Sequence, residues 1–162
     1  MEFTGERYIS DLNSAQISYE HWHRYLFSTQ FVSKKVVLDI ACGEGYGANL
    51  LAQTAHEVYG VDISEEAIKF ASTKYRRDNL RFLQGSVDNV PIADDKKFDV
   101  IVSFETIEHL SELTQQKFMT EVKRLLKKDG IFIVSTPNKL LYSDIPNYKN
   151  EFHIKEFYKE EF

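Results

Sequence analysis

The chain has 162 residues, 43% hydrophobic and 14% aromatic, with a formal net charge of -5 at pH 7. That length builds one domain with a sizeable core, and an acidic balance with no basic run excludes strong non-specific nucleic-acid binding, though not a small local basic patch. No apolar run reaches membrane-spanning length, Met1-Glu2-Phe3-Thr4 does not open a signal peptide, and one cysteine excludes an internal disulfide, so a cytoplasmic protein is expected.

Residues 1–17 are polar and irregular, with Gly5-Glu6-Arg7-Tyr8 their notable cluster. Tyr19, Trp22 and Leu26 then fall at i, i+3 and i+7, opposite Glu20, His21, His23 and Arg24. The spacing predicts an amphipathic helix packed beside the first strand, with His21, His23 and Arg24 on a solvated face. Val36 to Ile40 is a short apolar run suited to a strand buried on both faces. It breaks into Gly43-Glu44-Gly45-Tyr46-Gly47 and resumes as a helix on Ala48, Leu51, Ala52 and Ala55.

A strand, a glycine turn and a helix make a nucleotide-binding element, because residues without a Cβ let a ligand approach the backbone. Gly43, Gly45 and Ala48 fit the dinucleotide pattern G-x-G-x-x-G/A. Asp39, Gly43 and Gly45 fit the acid-x-x-x-G-x-G pattern of an S-adenosylmethionine site equally well. Asp39 discriminates, since a carboxylate repels pyrophosphate but pairs with the ammonium of a methionine group.

A second strand runs from Glu57 to Ile63, with Asp62 at the end where an acid hydrogen-bonds ribose hydroxyls in such sheets. Ser64 caps the next helix, whose inner stripe is Ala67, Ile68, Ala71 and Tyr75. Leu80–Ser86 is a third strand, residues 87–97 a loop around Pro91, and Phe98–Phe104 a fourth strand. Ser111 starts a helix buried on Phe118, Val122, Leu125 and Leu126 and ended by Asp129-Gly130; Ile131–Thr136 is a fifth strand, closed by Pro137. Alternating strands and helices predict a parallel sheet with right-handed crossovers. Glu105, Glu108 and His109, at i, i+3 and i+4 after the fourth strand, share a face if they stand on one helical turn. They and His153 are the candidates for activating a hydroxyl. The bland alternative is a capped, solvated helix start.

Val-Leu-Asp-Ile-Ala-Cys-Gly-Glu-Gly, Val-Asp-Ile-Ser, Phe-Asp-Val-Ile-Val-Ser-Phe-Glu and Leu-Leu-Lys-Lys-Asp-Gly-Ile follow one another between Val36 and Pro137. In that order and spacing the chain resembles the class I S-adenosylmethionine-dependent methyltransferases, of the bacterial type 11 and ubiquinone O-methyltransferase-like kind. The resemblance implies a single domain over 1–162: an N-terminal segment and helix over 1–33, a cofactor core over 34–137 and a substrate-side tail over 138–162. It implies an α/β fold, a Rossmann-like parallel sheet of order 3-2-1-4-5 flanked by helices, here lacking the usual C-terminal antiparallel hairpin. The fifth strand would then be an edge that residues 151–162, a second copy or a partner chain covers.

It also implies roles. Asp39, Ala41, Gly43 and Gly45 hold the methionine end, Asp62 the ribose, and Ile63 lies against the adenine. Ser86 stands where many members carry an acid for the adenine amino group, with the Val87 N–H as substitute. Phe104 and Glu105 line the methyl-transfer side, with Glu105 or His109 as base. Phe-Glu-Thr-Ile-Glu-His looks like two O-methyltransferase groups, one in ubiquinone biosynthesis and one acting on the 2′-hydroxyl of RNA 3′ ends. In both the matching residues bind a divalent metal, which implies Mg²⁺, Mn²⁺ or Zn²⁺ on Glu105, Glu108, His109 and His153. The expected activity is O-methylation of a small-molecule hydroxyl, a sugar or phenol. The alternatives are methylation of an RNA end, a non-catalytic cofactor-binding or partner module, and an NAD-dependent oxidoreductase, which Asp39 disfavours. Tyr8, Tyr25, Tyr142 and Tyr148 read as packing residues.

Overall fold

The computed structural model describes residues 15–162. The Gly5-Glu6-Arg7-Tyr8 cluster and Tyr8 therefore lie outside the described residues. Helix α1 covers Ala15–Ser28, strand β1 Val36–Ile40, α2 Tyr46–Leu51, β2 Glu57–Asp62, α3 Glu65–Lys74 and β3 Leu80–Gln84. β4 covers Phe98–Phe104, α4 Glu112–Leu125 and β5 Leu126–Ser135. The strands form one parallel sheet in the expected order β3-β2-β1-β4-β5.

Register places the functional ends together. Asp39 of β1 lies opposite Gly60 of β2 and Val102 of β4, so the C-terminal ends of three central strands open on one edge of the sheet. The order reverses between β1 and β4, and a ligand crevice forms outside such a reversal. Side chains alternate across the sheet. Val37, Val58, Val100, Val102 and Phe104 pack with α2 and with Tyr25 of α1. Leu38, Ile40, Val61 and Ile101 pack with Phe118, Val122 and Leu125 of α4. Val37, Leu38 and Ile40 are fully buried, each contributing roughly 1.5–3 kcal/mol of apolar transfer. The Ser64 and Ser111 hydroxyls cap α3 and α4 as expected, accepting from Ala67 N–H at 3.2 Å and Thr114 N–H at 3.3 Å.

Three expectations change. α4 ends at Leu125, not at Asp129-Gly130, because Leu126 is already extended and pairs with Phe98. Lys127 Nζ, 2.8 Å from Asp99 Oδ1, fastens that early stretch of β5 to β4. The inner face of α1 is also not the one the apolar stripe predicts. Tyr19 and Leu26 are 74% and 53% exposed, while Tyr25 and Ser28 are buried and His21 and Arg24 partly so. Finally, the C-terminal tail covers the end of the sheet and not its edge. Ile154 and Lys155 N–H donate to the Glu108 carbonyl, and Lys139 N–H donates to the Phe157 carbonyl. Phe157 itself is buried. Among the described residues no strand pairs with the outer side of β5. No described helix is long and apolar enough to cross a membrane.

Candidate functional site

The backbone leaving β1 alternates into the left-handed region at Ala41 (φ 63°), Gly43 (54°) and Gly45 (77°). The two glycines answer different needs. A Cβ on Gly45 would stand 2.6 Å from the Phe82 ring and 2.7 Å from the Ala71 Cβ, so this glycine lets the turn sit down on β3 and α3. A Cβ on Gly43 would meet nothing within 4 Å, so this one leaves bare backbone facing open space. Ala41 adopts a conformation that costs an L-residue about 1 kcal/mol. Asp62, at the end of β2, ties the turn down: its carboxylate accepts from Gly43 N–H at 2.8 Å and from Ser64 N–H at 2.9 Å. Beside it Ile63 is 71% exposed, an apolar side chain standing free at the crevice.

Asp39 is completely buried, and both its oxygens lie 3.1 Å from the Tyr25 hydroxyl, which donates to them. Burial pushes its carboxyl up to about 7; the Tyr25 hydrogen bond opposes the rise and the Asp62 charge adds to it. Burial and the facing carboxylate hold the Tyr25 phenol well above its ordinary value, so it stays a neutral donor. The Tyr25 ring packs edge-on against Phe104 (5.0 Å between centroids) and Tyr46 (5.3 Å). Its neighbours on α1 also face inward, which corrects the solvated face expected for His21 and Arg24. His21 Nδ1 lies 3.0 Å from the Tyr46 hydroxyl, and burial with the nearby Arg24 charge lowers its pKa to about 4. Arg24 pairs with Glu105 at 3.2 Å. The exposed aromatic stripe invited the inverted reading, because the rule that a helix buries its apolar side fails where the inner side faces acids.

At the end of β4 the chain does not continue as one helical turn. Glu105 has φ 50°, and only Ile107–His109 coil, as a 3-10 turn. The Glu105 carboxylate is held by Arg24 and by the Ser135 hydroxyl, which donates at 2.6 Å. Glu108, His109 and His153 do come together: each offers a ligand atom, all within 4.8 Å of one another. Glu105 is not among them, which corrects the set of four to a set of three.

Within that set Glu108 is fully buried. One oxygen accepts from the Thr136 hydroxyl at 3.0 Å; the other, Oε1, has no hydrogen-bond partner. Burial, with the Glu105 charge, pushes its carboxyl up to about 7. His109 Nδ1 lies 3.0 Å from the Phe152 carbonyl, which can only accept, so Nδ1 carries a proton; Nε2, the lone-pair atom of the neutral ring, lies 4.0 Å from Glu108 Oε1. His153 Nδ1 lies 2.6 Å from Glu156 Oε1, and its Nε2 lies 3.0 Å from the Asn150 amide nitrogen. The two imidazole centroids are 4.9 Å apart.

At the other side of the crevice the Ser86 hydroxyl donates to Asp88 Oδ1, within a loop closed by a Ser86–Asn89 bridge. Sequence reasoning stopped at the missing acid of position 86 and passed over the carboxylate two residues on. Arg124 secures this loop, donating to the Val90 and Ile92 carbonyls and to Asp94.

A family model for a methyltransferase domain matches residues 31–161. A probable S-adenosylmethionine-dependent methyltransferase of Mycolicibacterium smegmatis is 37% identical, over 96% of this chain and 60% of that protein. The ubiquinone biosynthesis O-methyltransferase of Pelagibacter ubique is 34% identical over 66% of this chain and 44% of its own length. The crystal structure of the YcgJ protein from Bacillus subtilis superposes with a TM-score of 0.72 at 26% identity, covering 87% of this chain and 64% of that one. The chain thus spans about 60% of the length of the curated relatives it matches over nearly its whole extent. With this sheet order, this glycine turn and these relatives, the chain belongs to the S-adenosylmethionine-dependent methyltransferase family.

Proposed function

We propose that this chain carries the cofactor and acceptor machinery of an S-adenosylmethionine-dependent O-methyltransferase acting on a small-molecule hydroxyl, a sugar or a phenol. The observation that carries the reading is two fully buried carboxylates, Asp39 and Glu108, at the ends of adjacent strands, one beside the glycine turn and the other beside two imidazoles. Asp39 receives the ammonium of the methionine end, beside the bare backbone of Ala41, Gly43 and Gly45. Asp62 keeps its two backbone donors and accepts from the ribose with its remaining lone pairs. Ile63 lies against the adenine. The Val87 N–H and the Ser86–Asp88 pair meet its edge, and Phe104 walls the methyl side.

Transfer is an in-line displacement. The acceptor oxygen bonds to the methyl carbon as the carbon–sulfur bond breaks, and its electron pair stays on sulfur, leaving S-adenosylhomocysteine. The acceptor's proton goes to a base. Glu105, aimed by its left-handed backbone, and His109, through the Nε2 lone pair, are the candidates.

Glu108, His109 and, once its Nε2 is released from the Asn150 amide, His153 also fit a divalent ion such as Mg²⁺, Mn²⁺ or Zn²⁺. Glu108 Oε1 is a buried oxygen lacking a donor, and the His109 ring is oriented by a carbonyl in the way metal-bound imidazoles are. A divalent ion held there would supply Lewis acidity to an acceptor hydroxyl. Methylation of an RNA 3′ end shares the same three residues, but the net charge of -5 favours a small acceptor.

The test is turnover of S-adenosylmethionine to S-adenosylhomocysteine with sugars, phenols and a short RNA bearing a free 3′ end, before and after chelation. Turnover with a sugar or phenol supports the reading, and turnover with the RNA alone supports the second one. Cofactor binding with no turnover on any acceptor leaves a non-catalytic module.

A further inference from the structure

Tyr25 is 4% exposed, and among the described residues it is the one side chain that donates to Asp39, reaching both oxygens from α1. Packing alone does not call for that hydroxyl, since a phenylalanine would offer the same ring to Phe104 and Tyr46. Nor does the glycine turn account for Gly47. It lies in α2, beyond the turn, and a Cβ there would stand 2.0 Å from Cζ of Tyr25. We propose that Tyr25 is a positioning residue for the cofactor's methionine end: its hydroxyl fixes the Asp39 carboxylate for the ligand ammonium, and Gly47 is glycine so that the Tyr25 ring can reach it.

The chemistry suits the task. A lysine or arginine at that position would neutralise Asp39 and leave no charge for the ligand. A phenol orients both oxygens and stays neutral, so the carboxylate keeps its attraction for an ammonium. Placing the donor on α1 also makes α1 part of the cofactor site, across 14 residues of sequence. The inference rests on the proposed role of Asp39, and the experiment separates the two.

Affinities of wild type, Tyr25→Phe, Gly47→Ala, Asp39→Asn and the Tyr25→Phe/Asp39→Asn double variant are measured by calorimetry against two ligands, with melting temperatures as a folding check. S-adenosylhomocysteine carries the amino-acid end; 5′-methylthioadenosine has the same nucleoside without it. Tyr25→Phe is expected to weaken S-adenosylhomocysteine by roughly tenfold, the worth of a hydrogen bond to a charged group, and to leave 5′-methylthioadenosine within about twofold. Gly47→Ala, which keeps the hydroxyl but displaces the ring, should reproduce that ligand-selective loss. The double variant should bind no worse than Asp39→Asn alone, because Tyr25 acts through Asp39.

Equal losses for both ligands in Tyr25→Phe and Gly47→Ala would make Tyr25 a packing residue and overturn the proposal. So would wild-type affinity in Tyr25→Phe while Asp39→Asn loses S-adenosylhomocysteine; in that case the role of Asp39 stands. Undiminished S-adenosylhomocysteine affinity in Asp39→Asn would overturn the role of Asp39, and this proposal with it.

Discussion

Asp39 and Glu108 are the same problem solved in two ways. Each is a fully buried carboxyl at a strand end, and burial raises each to about 7. Asp39 has both oxygens satisfied by one neutral donor. Glu108 has one satisfied by Thr136 and one, Oε1, without a donor. A buried oxygen left without a donor costs about 1–3 kcal/mol. Such a cost persists where something else uses the oxygen, and two imidazoles stand beside it. The difference teaches that the protein alone supplies a donor to both oxygens of Asp39, whereas at Glu108 it leaves one oxygen open beside two imidazoles.

The sharpest way to break this contrast is to offer a metal. Mn²⁺ affinity, read by the loss of the free-ion paramagnetic resonance signal, should fall more than about 100-fold in Glu108→Gln, since replacing a ligand outweighs the 10–100-fold effects of its supports. Asp39→Asn should bind Mn²⁺ as wild type does. Weak wild-type binding, or an equal loss in both variants, would end the distinction.

Stability against pH treats the two carboxyls alike. In the folded, metal-free protein Asp39 holds its proton up to about pH 7, while in the unfolded chain it releases it near 3.8. The folded state therefore binds the extra proton between about pH 4 and pH 7, and stability falls as pH rises through that window, then levels off. Asp39→Asn should raise stability at pH 8 by on the order of 4 kcal/mol and leave it unchanged near pH 4. Glu108→Gln should follow the same sign. Urea unfolding at several pH values checks it, and a gain independent of pH would show that the carboxyl is not the cause.

Binding separates them again. An ammonium pairs with ionised Asp39, so affinity for S-adenosylmethionine should rise about tenfold per pH unit below 6 and flatten near 7. Asp39→Asn should flatten that rise, whereas Glu108→Gln should keep it. Calorimetry between pH 5 and pH 7 reads this directly.

The glycine turn after β1 was legible in the sequence because its causes are local. A buried strand, residues that tolerate left-handed backbone, and an acid at the next strand end leave marks at fixed spacing, and Asp39, Gly43, Gly45 and Asp62 stand where those marks put them. The burial side of α1 was not legible, since its inner residues are chosen by the polar groups they face, the Tyr46 hydroxyl for His21 and the carboxylates of Glu105 and Asp39 for Arg24 and Tyr25. The i, i+3, i+4 spacing misled at Glu105 because a single left-handed residue breaks the helix the spacing presupposes. Asp129-Gly130 misled likewise: pairing of Leu126 with Phe98 overrides a common helix-stop signal. His153 reaches Glu108 by a tail whose anchors, Ile154 and Lys155 N–H on the Glu108 carbonyl, are main-chain bonds that side-chain patterns do not encode.

Thr136 gives the smallest and most selective probe of Glu108. Its hydroxyl is the side-chain donor to Oε2, at 3.0 Å, beside a main-chain hydrogen bond of Glu108 itself. Thr136→Val keeps the shape and removes that donor, leaving only the main-chain N–H to support the ionised form. A hydrogen bond to a neutral carboxyl contributes about 1 kcal/mol, and one to a carboxylate about twice that. Thr136→Val should therefore lower stability by about 1 kcal/mol at pH 5, where Glu108 holds its proton, and by more at pH 8. The growing gap with pH is the signature, because losing the hydroxyl raises the Glu108 carboxyl further. Saturating Mn²⁺ should then close much of the gap, since a cation on Oε1 stabilises the ionised form that Thr136 otherwise supports. A loss that is the same at both pH values, and that Mn²⁺ does not touch, would mean that the orphaned oxygen of Glu108 is not where the cation goes.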